Sequence, residues 1–178
     1  MEFFLKRKFD ELESDQVKPT RVLNGEKAFE YGGFPAFRIA LGKYVYVNKT
    51  ITGVNIDFGE WDDKTGSHVR STKNISLDVA QYVRLCGLIL SGKCDLSDAQ
   101  QQSSQEYGRL TPMFHLGNQV YFSWSRWNRS NLATVRYYRP NASGDLVPTK
   151  NGLTFGHQAF FALKKMIKDM VGFVSLLT

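Results

Sequence analysis

The sequence predicts an α+β fold built from two repeats, each an antiparallel β-meander of about four strands followed by one α-helix. Three observations predict it: an internal repeat, an alternation of apolar and polar residues early in each copy, and a helical spacing of apolar residues at its end. The chain has 178 residues, and a unit of roughly 60 residues buries only about 60% of its unfolded surface and is marginally stable alone. We therefore expect the two repeats to pair as an intramolecular pseudo-dimer.

The internal repeat consists of two blocks. Residues 41–47 (LGKYVYV) resemble residues 116–122 (LGNQVYF), 75 positions later, and residues 74–77 (NISL) resemble residues 152–155 (GLTF), 78 positions later. Large apolar residues follow the second block at similar positions: Tyr82 and Leu85 in the first copy, Phe160 and Leu163 in the second. Because the two spacings are so similar, insertions fall between the blocks, which is typical of a duplicated domain.

This repeat divides the chain into four segments. They are an N-terminal arm of mixed charge (residues 1–35), the first repeat (36–92), a polar linker without apolar periodicity (93–112) and the second repeat (113–178). The arm contains the basic run Lys6, Arg7 and Lys8, which fits a nuclear import signal and fits an ordinary charged helix as well. The first interpretation predicts a nuclear location (the host nucleus if the protein is viral), and the second leaves a cytoplasmic one.

Strands come first in each copy. Residues 43–48 alternate between valines on one face and tyrosines on the other, and residues 54–58 alternate between apolar side chains and Asn or Asp. The alternation recurs in the second copy around residues 120–122 and 135–137. Side chains of one parity are therefore expected to face a core, and those of the other parity to face solvent or a ligand.

A helix is predicted at the end of each copy, beginning near Asp78 and near Gly156. Apolar residues recur there at helical spacing. They are Val79, Tyr82, Val83, Cys86 and Ile89 in the first copy, and Phe160, Leu163, Ile167 and Met170 in the second. We expect these residues to lie at an apolar interface between the helices.

The net charge of +6 is unevenly distributed. Residues 113–168 carry eight Lys and Arg side chains and one acidic residue, Asp145, whereas residues 37–92 carry seven basic and five acidic residues. A strongly basic domain is typical of proteins that bind a polyanion such as nucleic acid. A solvated basic surface without a ligand is the alternative explanation.

No enzymatic activity, metal or cofactor is expected. His68, His115 and His157 are isolated in the sequence, and Cys86 and Cys94 have no further metal ligands at suitable spacing. No nucleophile elbow, phosphate-binding loop or dinucleotide-binding motif is present. No apolar run has the length that crosses a bilayer, so no membrane partner is expected either.

Several of these segments resemble the single-stranded-DNA-binding domain of the transcriptional coactivator positive cofactor 4. That domain ends in Gly-Ile-Ser-Leu followed by a helix with Gln-Trp-x-x-Leu, and residues 75–77, Gln81, Tyr82 and Leu85 match it with Tyr in place of Trp. Residues 54–58 and Trp61 resemble the family's strand and its exposed hairpin Trp. In the second copy, residues 113–117 (MFHLG) match the family's opening strand, and residues 153–155, Phe160 and Leu163 match its ending more loosely.

The resemblance covers both repeats but neither the arm nor the linker, and Arg139 stands where the second copy's hairpin Trp would lie. Family members dimerise through their helices and set two strand ribbons side by side. The resemblance therefore implies that this chain builds the same pair internally and binds single-stranded DNA.

Candidate binding residues follow from the chemistry of single strands, whose bases stack on aromatic rings while cations contact the phosphates. Such residues interleave over residues 124–139 without any acidic residue, and the sheet face opposite the helix is free for a ligand. The candidates are Tyr121, Trp124, Arg126, Trp127, Arg129, Arg136, Tyr138, Arg139 and Lys150 in the second repeat, and Tyr44, Tyr46, Lys49, Trp61, Arg70 and Lys73 in the first.

Strand parity leaves one of these assignments open. Trp124 shares a face with Val120 and Phe122, so a buried position is as compatible with the sequence as an exposed one. Trp127 lies among polar residues and is expected to be exposed. The arginines between positions 126 and 139 are not expected in a core.

The expected function is single-stranded DNA binding with little sequence specificity, in replication, repair or transcription. Two alternatives remain open: RNA binding, and a transcription cofactor that works mainly through protein–protein contacts. Replication or transcription proteins and a further copy of the chain are the additional partners that this function would bring.

Overall fold

The computed structural model describes residues 25, 27–62, 67–68, 73–101 and 107–175 of the chain. Two antiparallel sheets and two long helices account for most of these residues, which confirms the α+β class. Arg70 and residues 1–24 of the arm lie outside the described residues.

The first sheet contains six strands: β1 (Lys27–Tyr31), β2 (Phe34–Ala40), β3 (Lys43–Thr50), β4 (Gly53–Asp62), β5 (Ser67–His68) and β6 (Ile75–Asp78). Strands β1 to β4 pair in chain order, and both β5 and β6 pair with the other edge of β4. The helix α1 (Val79–Leu90) follows β6 directly, and these elements form the first unit.

The second sheet is a four-stranded meander. It consists of β7 (Gly108–Gly117), β8 (Val120–Trp127), β9 (Ser130–Pro140) and β10 (Leu146–Gly156), each paired with the next in the chain. The helix α3 (His157–Ser175) follows β10 directly, and these elements form the second unit. A one-turn helix, α2 (Asp98–Gln101), lies between the units.

The two units correspond at the repeated blocks, although the first has six strands and the second four. The repeated block at residues 41–47 leads into β3, and its counterpart at residues 116–122 leads into β8. The second block lies at β6 in one unit and at the end of β10 in the other, directly before a helix in both. Each unit is therefore an antiparallel meander followed by a helix.

Local sequence explains where the elements begin. Asp78 is the N-cap of α1: its carboxylate accepts from the Gln81 backbone N–H at 2.7 Å, and the Gln81 side chain accepts from the Asp78 N–H at 3.0 Å. This reciprocal pair satisfies two N–H groups that have no partner within the helix. Residues 118–119 and 128–129 form two-residue hairpin turns with φ of 46° and 61°, and Asn tolerates this left-handed region at the first position of each turn.

One apolar core lies between the sheets and the long helices. It contains residues of both units, among them Val45, Phe58, Phe122, Trp124 and Phe160. The helix α3 packs on β2 of the first unit as well as on its own sheet, α1 packs on β7 of the second unit, and the two helices contact each other. Apolar side chains of each unit are therefore buried in part by elements of the other unit.

Two hydrogen bonds reinforce the contact of α1 with β7. The Gln81 side chain donates to the Gly117 carbonyl at 3.0 Å, and the Arg84 guanidinium donates to the Leu116 carbonyl at 2.8 Å. Gly117 has a φ of 119°, and a Cβ there would lie only 2.5 Å from the Arg84 guanidinium. Glycine is therefore required where α1 reaches the second unit.

The predicted boundaries differ from the structure in two places. Strand β1 and the start of β2 lie within residues 27–35, which the sequence assigned to the arm, and β7 begins at Gly108, inside the assigned linker. Neither residues 27–35 nor residues 108–112 belong to a repeated block, so the repeat alone did not reveal these strand segments. Val83, expected at the helix interface, is 55% exposed on the outside of α1.

Among the described residues, no helix combines the length and apolar character needed to cross a bilayer.

Leu163 tests the shared core. It is fully buried in α3, whereas Phe161, two residues earlier on the same helix, is 55% exposed. Leu163→Ala should lower the free energy of unfolding by about 2–5 kcal/mol because it leaves a cavity, while Phe161→Ala should change it by less than about 1 kcal/mol. Chemical denaturation of both variants measures the difference, and equal small losses would contradict the packing described here.

Candidate nucleic-acid interface

The two faces of the second sheet have different surroundings. Phe122, Trp124 and Val135 point to the core, where the Trp124 and Phe160 rings lie 4.9 Å apart. Side chains of the opposite parity, including Tyr121 on β8 and Arg136 on β9, lie on the face turned away from the core, which we call the outer face. Because the two long helices lie on the core side, this outer face is the surface available to a ligand.

Aromatic and basic groups lie side by side on the outer face. The ring of Tyr121 is 4.8 Å from that of His115 on β7 and 5.4 Å from that of Tyr138 on β9. The Arg109 guanidinium lies 5.7 Å from the centre of the Tyr138 ring, a cation–π distance. Tyr138 is itself buried beneath these neighbours, while His115 and Arg109 are exposed and Tyr121 is half-buried.

One end of the outer face carries an exposed aromatic pair. Trp127, at the end of β8, is 65% exposed, and Tyr107, just before β7, is 50% exposed. Their ring centres lie 5.1 Å apart in an edge-to-face arrangement. Arg129 follows in the adjoining hairpin turn and is exposed. Large aromatic rings left in solvent beside a cation are the elements on which unpaired bases stack.

A cleft of about 370 Å³ lies where the two units meet, and its walls include Lys43, Lys73, Glu60 and Arg136. The Lys43 ammonium donates to the Thr154 carbonyl of the second unit at 2.6 Å, and Arg136 donates to the Thr149 carbonyl at 2.6 Å. Burial lowers the pKa of Lys43; Glu60 opposes this shift and Lys73 adds to it. The cleft therefore gathers cations from both units beside the outer face of the second sheet.

Trp124 is a core residue. It is only 2% exposed, and its indole N–H donates to the Cys94 carbonyl at 2.7 Å. Of the two positions that the sequence allowed for this ring, the structure therefore shows the buried one, and Trp124 is not available for stacking.

Arg126 is also buried, contrary to the expectation that these arginines lie outside the core. It is 5% exposed, and its guanidinium donates to the Gln100 and Gln101 carbonyls of α2 at 2.7 and 2.8 Å and to the Asn131 side chain at 2.7 Å. A buried guanidinium needs such acceptors because it cannot lose its charge. Arg126 therefore fastens α2 to the second sheet instead of facing a ligand.

The first-repeat aromatic candidates are covered by another part of the chain. Tyr44, Tyr46 and Trp61 are at most 7% exposed and form a second apolar cluster on the outer face of the first sheet. Phe29 of β1 packs over them, with ring-centre distances of 5.3 Å to Tyr44 and 4.6 Å to Trp61. The prediction that these three rings are open to bases is therefore wrong, because β1 was not expected.

The remaining candidates lie around the edges of these surfaces. Lys49, Lys73, Arg129, Arg139 and Lys150 are exposed, and Lys73 forms an ion pair of 3.9 Å with Glu60. Arg70 lies outside the described residues. Tyr107 and Arg109 were not among the residues predicted from the sequence, because both fall in the assigned linker. Lys43 was not among them either, because its position beside β10 depends on how the units meet.

No arrangement of His, Cys, Asp or Glu side chains suited to a metal ion occurs among the described residues. The two cysteines are free and buried, and burial raises the pKa of Cys86 to about 11 and that of Cys94 to about 12.

Comparison with protein-family models and with curated proteins yields no match for this chain.

The two tryptophans of β8 provide a matched pair of variants. Trp124→Ala should lower the free energy of unfolding by about 3–5 kcal/mol because the ring fills the core. Trp127→Ala should leave the melting temperature nearly unchanged, because most of that ring is in solvent. Thermal melts followed by circular dichroism measure both, and a large loss of stability in Trp127→Ala would mean that its ring is structural.

Proposed function

We propose that this protein binds single-stranded DNA across the outer face of its second sheet and acts in replication, repair or transcription. The observation that carries the proposal is the exposed Tyr107–Trp127 pair on a face that also carries Arg109 and Arg129. A duplex hides its base faces, whereas unpaired bases can stack on such rings while cations contact the phosphates. The same stacking and phosphate contacts also form with RNA. We propose DNA because several segments of the chain resemble positive cofactor 4.

We also propose that the two units form an intramolecular pseudo-dimer. The shared core and the contacts of each long helix with the other unit support this arrangement. It would place the cleft containing Lys43 and Arg136 next to the outer face, so that one strand contacts cations of both units. A nuclear location and partners among replication or transcription proteins belong to the same proposal.

A second candidate function, a cofactor that binds other proteins, is favoured by a different surface. A recess of about 500 Å³ between α1 and β7 has Leu88, Met113 and Phe114 in its walls together with Arg84, Lys93 and His115. Among the described residues, no Asp or Glu lines this recess, so an acidic peptide with apolar side chains would complement it. Weak oligonucleotide binding at physiological salt would favour this function over the first.

The main proposal is tested by the preference for single-stranded over duplex DNA and by the salt dependence of binding. The full chain should bind a single strand more tightly than the duplex of the same sequence, because stacking requires unpaired bases. Its affinity should fall with salt, with a log–log slope near −0.7 for each phosphate contact. Fluorescence anisotropy at several salt concentrations measures both quantities, with an RNA strand of the same sequence as competitor. Equal affinity for single strand and duplex would contradict the proposal.

Two double variants that remove the same charge test which surface binds the single-stranded DNA. Replacing Arg109 and Arg129 with Ala should weaken single-strand binding and reduce the salt slope by about 1.4, the equivalent of two phosphate contacts. Replacing Lys165 and Lys168 with Ala removes the same charge from exposed positions of α3 and should leave the slope nearly unchanged. If both double variants lose the same affinity and slope, only the overall charge matters and the outer face is not the site.

A further inference from the structure

The first sheet carries a separate recess on its own outer face, the face turned away from the core. Its volume is about 590 Å³, and its walls are formed mainly by Tyr31, Tyr46, Asn48, Asp57, Asn74 and Ser76. Tyr46, Asp57 and Ser76 occupy directly opposed positions on β3, β4 and β6, so they form a row across the sheet. The recess is separate from the aromatic and basic residues of the second sheet, and the proposed function leaves it without a role.

A carboxylate lies at the centre of the recess. Asp57 is half-buried; the Asn48 amide donates to its Oδ2 at 3.0 Å, and the Ser76 hydroxyl donates to its Oδ1. Among the described residues, no Lys or Arg forms an ion pair with Asp57. A carboxylate has about four acceptor positions on its two oxygens, so these two hydrogen bonds leave room for two more.

Aromatic rings stand beside this carboxylate. Tyr31 and Tyr46 lie with ring centres 5.0 Å apart, and Tyr31, on the edge strand β1, is 37% exposed. The recess therefore presents a ring against which a flat ligand can lie and an acceptor-only group at its base. Phosphate is a poor fit, because Asp57 would repel it and, among the described residues, no Lys or Arg lines the recess.

We propose that this recess binds a guanine base of the single strand, with the base against Tyr31 and its Watson–Crick edge on Asp57. Among the four DNA bases, guanine alone carries two adjacent donors, N1–H and the N2 amino group, that match the two oxygens of a carboxylate. Thymine offers one N–H between two carbonyls, and adenine and cytosine each offer an amino group beside an acceptor that Asp57 would repel. This inference rests on the proposed function and adds a preference for one base at one position.

Oligothymidine strands of equal length, each with one central substitution, test the inference with the full chain by fluorescence anisotropy. The guanine strand should bind at least about fivefold more tightly than the unsubstituted strand, as expected for a two-point base contact. A 7-deazaguanine strand keeps both donors and should bind like guanine. An inosine strand lacks the N2 amino group and should lose most of the advantage.

Two variants test whether the preference for guanine arises in this recess. Asp57→Asn offers one donor and one acceptor, so the advantage of guanine should disappear and an adenine or cytosine strand should gain affinity relative to it. Tyr31→Ala should reduce affinity for the guanine strand toward that of the unsubstituted strand. Asp145→Asn is the matched control: it removes the same charge at an exposed turn of the second unit and should leave the preference intact.

The outcomes separate this inference from the proposed function. Equal affinity of the wild-type protein for guanine, inosine and unsubstituted strands would overturn the guanine site while single-strand binding stands. Failure to bind any strand would overturn the proposed function, and the guanine site with it. A thermal melt checks that Asp57→Asn folds; if it does not, Tyr31→Ala decides, and a guanine preference unchanged in that variant would overturn the assignment to this recess.

Discussion

The arrangement of this protein depends on one constraint, the burial of the apolar faces of two small sheets that would each be marginally stable alone. Each sheet has one apolar face, and both faces contribute to a single core closed by α1 and α3. Since α3 packs on β2 as well as on its own sheet, and α1 packs on β7 as well as on its own sheet, each long helix contacts both units. The same constraint places α1 and α3 on the core side of the sheets, and the candidate binding surfaces lie on the opposite faces.

The fold was largely predictable because its signals are local or repetitive. The alternation in β3, β4, β8 and β9 and the helical spacing in α1 and α3 follow from side chains facing one core. The N-cap at Asp78 and the repeat itself add independent support. Strand β1 and the first residues of β7 were missed because pairing, rather than local pattern, defines the limits of these strands, and β7 contains Pro112, which is unfavourable within a strand.

The candidate site was less predictable, because exposure depends on which distant segment covers a side chain. Trp127 was correctly expected in solvent, from its polar neighbours. Arg126, one residue earlier, has similar neighbours in sequence but lies on the core side of β8, where the carbonyls of α2 accept its hydrogen bonds. Tyr46 alternates as an outer-face residue should, yet Tyr31 and the rest of β1 cover that face. Parity predicts the face on which a residue lies, and only the tertiary structure shows what packs on it.

The covering of one outer face by β1 has a consequence for how such a molecule can evolve. In a dimer of identical chains, every substitution occurs twice, so a strand added over one binding face is added over the other as well. Two units joined in a single chain are free of that restriction. Here the first unit carries β1 over its aromatic row, while the second keeps Trp127 and Tyr107 in solvent. Joining two units in one chain thus allows each outer face to change independently of the other.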